Sequence, residues 1–296
     1  MVEYLVVRLK DKFKVATLSR GYKRKTRGYA LANANTTALE IGDEPMQFHL
    51  KFPDVPIAVG EQRIVAIPQL LHDKPETQAI ILDDAFQHRS IKAGMNIILT
   101  DYNNLFTRDF YLPTGDLRDL KSSYKRAEII VVTKCKPDLS DADKLKTIKE
   151  ISPLPHQQIF FTAIEYGQLY HISDNRKSVL DNKTEVLLVT GIANPRPLKK
   201  MLEEHSNSYH MLQYADHHIF TIDDLNDIKK RFESIETTNK IILTTEKDAV
   251  RLVKFCIEIA ELPLYVIPVR HRFLFEEGNK FDMSVTDFIH NFKQRP

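Results

Sequence analysis

Two adjacent carboxylates, Asp83 and Asp84, follow the apolar residues Ile80, Ile81 and Leu82 within the stretch QAIILDDAFQHR (78–89). A strand buried on both faces reads as such a run, and acids at its carboxyl end open onto a site. Neighbouring carboxylates repel each other unless a cation stands nearby. An aspartate delivered this way can anchor the magnesium that neutralises a nucleotide's phosphates; it can equally cap a following helix. The polar run Phe86, Gln87, His88 and Arg89 lies beyond the strand's end, where open α/β sheets bind their ligands.

Other clusters offer complementary chemistry. SRGYKRKTR (19–27) sets five basic residues in nine positions. A solvated turn fits that charge, and so does contact with phosphate or an anionic membrane surface. Gly21 permits close backbone approach and Tyr22 adds an apolar face among cations, which points to an amphiphilic ligand. IGDEP (41–45) places Asp43 and Glu44 before a proline, a setting that disfavours helix and predicts an extended or turned acidic segment. LPTGDLRD (112–119) presents Arg118 after a Pro and Gly turn, as a phosphate ligand or a salt-bridge partner. His217 and His218 point opposite ways in an extended chain, so they do not share a metal ion, but one of them suits a carboxylate general base as its partner.

The elements that must position these groups alternate. Residues 1–9 read as an amphipathic helix too short to cross a bilayer, 14–18, 55–60, 78–83, 95–100 and 127–133 as strands, and 61–72 as a helix. Such spacing predicts a mostly parallel sheet flanked by helices. Pro153 and Pro155 mark a boundary near 150–158. Beyond it, 158–164 and 168–172 read as a hairpin joining two domains, followed by strands at 185–190, 240–245 and 262–269. At 296 residues and 43% hydrophobic content the chain can bury a large core. Its 42 basic and 40 acidic residues give a net charge of +2, so wholesale nucleic-acid binding is not implied. Two distant cysteines, Cys135 and Cys256, argue for reduced thiols in a cytosolic protein and against a zinc or disulfide scaffold.

In chain order, LSRGYKRKTRGY (18–29), IGDEP, ILDDAFQHR, LPTGDLRD, VVTKC (131–135), VTGIANP (189–195), DHHIFT (216–221) and LTTEKDAVRL (243–252) closely resemble the tetraacyldisaccharide 4'-kinases, the lipid A 4'-kinases of Gram-negative bacteria. The resemblance covers nearly the whole chain. It implies a P-loop NTPase-like α/β enzyme that transfers the γ-phosphoryl group of ATP, with Mg2+, to the 4'-hydroxyl of tetraacyldisaccharide 1-phosphate, giving lipid IVA. It also implies a peripheral location on the cytoplasmic face of the bacterial inner membrane and no nucleic-acid partner. A core kinase domain over 1–156 is expected, then a two-stranded linker and a smaller α/β domain over 157–296. By motif, Asp43 would be the general base, working with His217 rather than His218. Asp83 and Asp84 would form the Walker B element that serves magnesium. Arg20 and Tyr22 would meet the substrate's phosphate and sugar, with Gln87 and Arg118 as further contacts.

Some positions depart from the family pattern. Ala85 stands where glycine is usual and Asp116 where proline is common. The family's Walker A loop, G-x-x-x-x-G-K-S/T, precedes its first helix, whereas this sequence has no Gly-Lys dipeptide. The expectation is a chain N-terminally truncated before its first helix, with the nucleotide-cradling residues unassigned. An inactive remnant that still binds the lipid disaccharide is the alternative reading. A metal-dependent sugar-nucleotide transferase using Asp83 and Asp84 is disfavoured, because contiguous acids at a buried strand's end match nucleotide hydrolases.

Overall fold

The computed structural model describes residues 1–292. Short apolar runs separated by helices fold as parallel strands joined by crossovers, since parallel neighbours cannot be linked by a tight turn. The first part comprises α1 (Val2–Leu9), β1 (Val15–Ser19), β2 (Ala30–Leu31), α2 (Ala38–Ile41), α3 (Asp43–Lys51), β3 (Ile57–Val59), α4 (Arg63–Asp73), β4 (Ala79–Leu82), β5 (Ile97–Asp101), β6 (Ile129–Cys135), α5 (Asp141–Ile151) and β7 (Gln158–Tyr166). Next come β8 (Leu169–His171), β9 (Lys177–Ser178), β10 (Glu185–Thr190), α6 (Arg196–His205), β11 (Ser208–Gln213), α7 (Ile222–Glu233), β12 (Lys240–Thr245), α8 (Glu246–Leu252), α9 (Cys256–Ile259) and β13 (Leu264–Ile267). The chain closes with β14 (Val269–Phe273) and α10 (Gly278–Asn291).

The first part holds two four-stranded sheets, ordered β2-β3-β1-β4 and β14-β7-β6-β5. Strand β1 runs parallel to β3 and β4, and β5, β6 and β7 run parallel to one another. One apolar core joins the two sheets: Leu5, Val6 and Leu9 of α1 pack with Val15 and Ile57, with Ile129, Val131 and Phe160, and with Phe281 and Val285 of α10. The second part is a six-stranded sheet, β11-β10-β12-β13-β8-β9, whose first four strands are parallel. This is the helix-flanked, mostly parallel architecture expected from the alternating pattern.

Two sequence expectations are corrected. The acidic segment at Asp43 and Glu44 is not a turn but the first turn of α3. Pro45 is tolerated because its missing N–H falls where a helix has no intrahelical acceptor, which outweighs the proline's restriction on Glu44. The strand at 158–166 does not form a hairpin with 168–172. It pairs in parallel with β6, from Ile129↔Gln158 to Val132↔Phe161, and antiparallel with β14, from Val269↔Tyr166 to Phe273↔Thr162. Phe160 and Phe161 are both fully buried, one on each face, and a strand apolar on both faces takes an inner place in a sheet. Strands beyond residue 156 thus belong with the first part's sheet. The crossing between the parts is an antiparallel pair, β7 leaving and β14 returning.

Candidate active site

The cleft between the two parts is lined by α3 and the end of β4 from one side, and by the loop after β11 and helix α8 from the other. Asp43 opens α3. It follows Gly42, whose φ of +93° and ψ of 162° belong to a region that only glycine occupies readily. A side chain at Gly42 would stand 3.0 Å from the Tyr22 carbonyl oxygen, so the basic loop and the start of α3 are in close backbone contact.

The Asp43 carboxylate is buried and receives its partners from the second part of the chain. His217 Nδ1 lies 2.7 Å from Asp43 Oδ2. Arg251 donates from Nε to Asp43 Oδ1 at 2.7 Å, donates from a terminal nitrogen to Oδ2, and reaches the His218 carbonyl at 2.9 Å. Lys247 Nζ stands 3.3 Å from His217 Nε2 and donates to Asp216 Oδ1 at 2.9 Å. Lys247 and Arg251 are four residues apart and so share one face of α8. The Tyr22 ring meets the His217 ring edge-on at 5.8 Å, while the Tyr22 side chain stays 65% exposed. His217 itself has a left-handed backbone, φ +66°, an unusual conformation for a non-glycine residue that is enriched at functional sites.

His218 is occupied differently. Its Nε2 lies 2.9 Å from Asp224 Oδ2, the carboxylate that also closes the capping box of α7 with Thr221, and its ring stacks on Tyr214 at 4.6 Å. Of the two histidines, only His217 contacts Asp43.

At the end of β4 the two acids part company. Asp84, with φ +46°, is gripped by both terminal nitrogens of Arg118, one at 3.0 Å, and that guanidinium holds its carboxyl below the usual carboxylate range. Gln87 donates to the Asp84 carbonyl at 3.2 Å, so Gln87 and Arg118 both serve this turn. Asp83 has no side-chain hydrogen bond or ion pair among the described residues; burial first, and the Asp84 charge second, push its carboxyl up. Glu44, on the first turn of α3, is raised in the same direction, by desolvation first and then by the charge of Asp83. Arg63, 1% exposed, donates to the Asp83 carbonyl at 3.1 Å and fixes the strand's end. Burial, and then the charges of Arg63 and Arg20, lower His88.

A magnesium ion fits this donor set in a limited way. No group of three His, Cys, Asp or Glu side chains converges on one point among the described residues. Magnesium does not require one, since it keeps several waters and uses one or two carboxylates with substrate phosphates. Asp83 and Glu44, whose carboxyls are both pushed up and neither of which has a side-chain ion pair among the described residues, are the groups a cation would relieve.

The structure joins Asp43 with His217 and sets the Tyr22 ring against His217; separately, at the end of β4, it joins Asp84 with Arg118 and Gln87, with Asp83 adjacent in the chain, while Arg20 lies on the loop that reaches Tyr22. Sequence reasoning missed Arg251, Lys247 and Arg63, and it gave Glu44 no role. The spacing of Lys247 and Arg251 in EKDAVR, i and i+4 directly after a buried strand, was the available signal.

A sequence profile of the tetraacyldisaccharide-1-P 4'-kinases matches residues 1–289. The chain belongs to this family. Curated tetraacyldisaccharide 4'-kinases resemble it over nearly its full length: that of Bacteroides thetaiotaomicron is 40% identical, covering 97% of this chain and 79% of that protein. The kinase of Flavobacterium johnsoniae is 42% identical over 97% of this chain and 82% of its own length. Among solved structures, the LpxK of Aquifex aeolicus, crystallised in complex with ATP, superposes with a TM-score of 0.70 at 24% identity, covering 97% of this chain and 82% of that one. That likeness establishes the shared fold. It agrees with the family assignment made from the kinase sequences.

Proposed function

We propose that this chain transfers the γ-phosphoryl group of ATP to the 4'-hydroxyl of tetraacyldisaccharide 1-phosphate, yielding lipid IVA. The observation that carries the reading is that this member of the 4'-kinase family joins Asp43 and His217 across its cleft at 2.7 Å. A sugar hydroxyl becomes a nucleophile only as its proton leaves, and a carboxylate–imidazole pair accepts a proton as a unit. Arg251 and Lys247 hold that pair from α8, so the base is complete only when the two parts of the chain meet. Asp83, with Glu44 beside it and Asp84 behind, would hold Mg2+, which supplies charge neutralisation for the phosphates when bound. Arg20 and Tyr22, on the loop touching the start of α3, would meet the substrate's phosphate and sugar. The lipid substrate calls for peripheral attachment at the cytoplasmic face of the inner membrane. No helix among the described residues is long and apolar enough to cross a membrane.

The test is phosphoryl transfer from γ-labelled ATP to tetraacyldisaccharide 1-phosphate by the purified chain, with Mg2+ present or chelated. Labelled lipid IVA that disappears in Asp43→Ala supports the reading. Binding of the lipid without any transfer would favour the inactive remnant instead.

A further inference from the structure

Helix α4 packs against the first sheet through Arg63, Ala66 and Leu70, and turns an uncharged side to water. From residue 64 to 72, IVAIPQLLH, it has no Asp, Glu, Lys or Arg. Ile64 is 57% exposed, Val65 48% and Leu71 39%. A surface helix of a water-soluble protein normally places charges on that side, and a contiguous apolar face of this kind marks an interaction surface.

The basic loop lies along the same helix and is fastened to it at both ends. Arg24 and the Gly28 N–H bond to Glu61, just before the start of α4, at 2.6 and 2.9 Å. Tyr29 donates from its hydroxyl to Asp73 at the helix's end, at 2.9 Å. Of the loop's cations, Arg24 is the one in an ion pair; Lys23, Lys25 and Arg27 are exposed and lack a carboxylate partner among the described residues. Lys25 N–H also bonds the carbonyl of Leu39, a further exposed apolar residue.

We infer that α4 and the 23–27 loop together form the surface by which this protein docks on an anionic lipid bilayer. The apolar side of α4 enters the headgroup boundary while Lys23, Lys25 and Arg27 meet lipid phosphates. An apolar helix side bordered by unpaired cations matches an interfacial helix on negatively charged lipid, and it does not match a neutral protein surface. The placement also serves the cleft, because the loop that would lie on the bilayer continues through Tyr22 to His217. An acylated substrate could then pass from the membrane to Asp43 without its chains crossing water. This step rests on the kinase reading, whereas the docking surface itself does not.

Flotation of the full chain with vesicles tests it, using phosphatidylcholine alone or mixed with phosphatidylglycerol. The wild type is expected to bind the mixed vesicles and to lose binding in high salt, as screened surface charges do. Lys25→Glu with Arg27→Glu should weaken binding at least about tenfold, since each basic residue at the surface contributes about fivefold. Ile64→Asp with Leu71→Asp should abolish binding even at low salt, with unchanged circular dichroism. Both double variants should still phosphorylate substrate presented in detergent. No kinase activity in any form, with vesicle binding intact, would defeat the functional reading alone. Equal vesicle binding by wild type and variants overturns the docking surface. So does a wild-type dimer that Ile64→Asp turns into a monomer, because α4 would then face a second copy of the chain.

Discussion

His217 and His218 are the same residue type in sequence and differ in backbone conformation and in what the fold places against them. Asp43 and Arg251 surround the first, while Asp224 and the Tyr214 ring surround the second. Asp43→Ala and His217→Ala should each lower kcat by roughly 100- to 10,000-fold, as loss of general-base function does. Because they act as one unit, the double variant should cost far less than the product of the two. Multiplicative losses in steady-state kinetics would separate them. His218→Ala should instead reduce stability by about 1 kcal/mol, the worth of a typical hydrogen bond, with kcat little changed. The pair was legible as HH in the sequence, but its division of labour was not, since it depends on a capping box six residues downstream. Asp83 gives a second test. Its carboxyl titrates above the ordinary range, so the folded state binds the proton more tightly than the unfolded one. Stability from this group is therefore present below the unfolded value and is lost as pH rises through the folded one. Asp83→Asn should raise the melting temperature at neutral pH while lowering activity, a trade common at functional sites. A lower melting temperature would mean that Asp83 is paired in solution.

Position, rather than composition, decides what the α2–α3 junction does. Helix α2 closes at Gly42 and α3 opens from it, and Asp43, the first residue of α3, meets His217 and Arg251 of the second part of the chain. The sequence shows Gly-Asp-Glu-Pro and reads as a turn; whether Pro45 falls at a helix's third position or after a loop depends on packing that no local pattern displays. Helices α1 and α4 and strands β1, β4, β6, β10 and β12 were readable because their apolar periods are strong and local. Strand β7 was readable as a strand but not in its partners, for pairing is non-local. The junction makes a sharp prediction. Gly42→Ala forces a non-glycine residue into the conformation at φ +93° and brings a methyl group to 3.0 Å from the Tyr22 carbonyl oxygen. It should cost about 1–3 kcal/mol of stability. It should also lower kcat by on the order of 100-fold, because a displacement of about 1 Å suffices for that. Gly28→Ala is the control: its φ is +78°, yet nothing lies within 4 Å of the added carbon, so it should strain the backbone without touching turnover. Equal kinetic losses in the two variants would show that Gly42 has no special hold on Asp43.

At the scale of the whole molecule the two parts meet through polar contacts and through an apolar patch in which Val250 of α8 packs with Ile41, Met46 and Val59, and they are tied by the β7–β14 pair. Beside the Asp43 cluster, Lys51 of α3 bridges Glu3 of α1 and Glu246 of α8, at 2.6 Å to each. Both chain crossings run through the β7–β14 ribbon, where His271 is half-buried and its Nδ1 lies 3.1 Å from the Thr162 hydroxyl. Burial lowers His271 from 6.5 to about 4. The folded ribbon thus keeps this ring neutral, whereas the unfolded chain takes up a proton as pH falls below 6.5. Between those two values the unfolded state binds more protons, so stability rises with pH; the contribution is complete above 6.5 and drains away towards pH 4. Over so wide a gap the loss amounts to about 3 kcal/mol at most, at roughly 1.4 kcal/mol per unit. His271→Gln retains a hydrogen-bonding group for Thr162 but cannot titrate. Urea unfolding of the two proteins at neutral pH and near pH 5 should show the wild type losing about 1–2 kcal/mol more than the variant. If the ribbon is where the parts separate, hydrogen exchange at pH 5 should quicken first in β7 and β14, and Asp43 should lose its partners on α8 as it does. Parallel pH dependence in the two proteins would place the acid-sensitive group elsewhere and leave the joint between the parts indifferent to protonation.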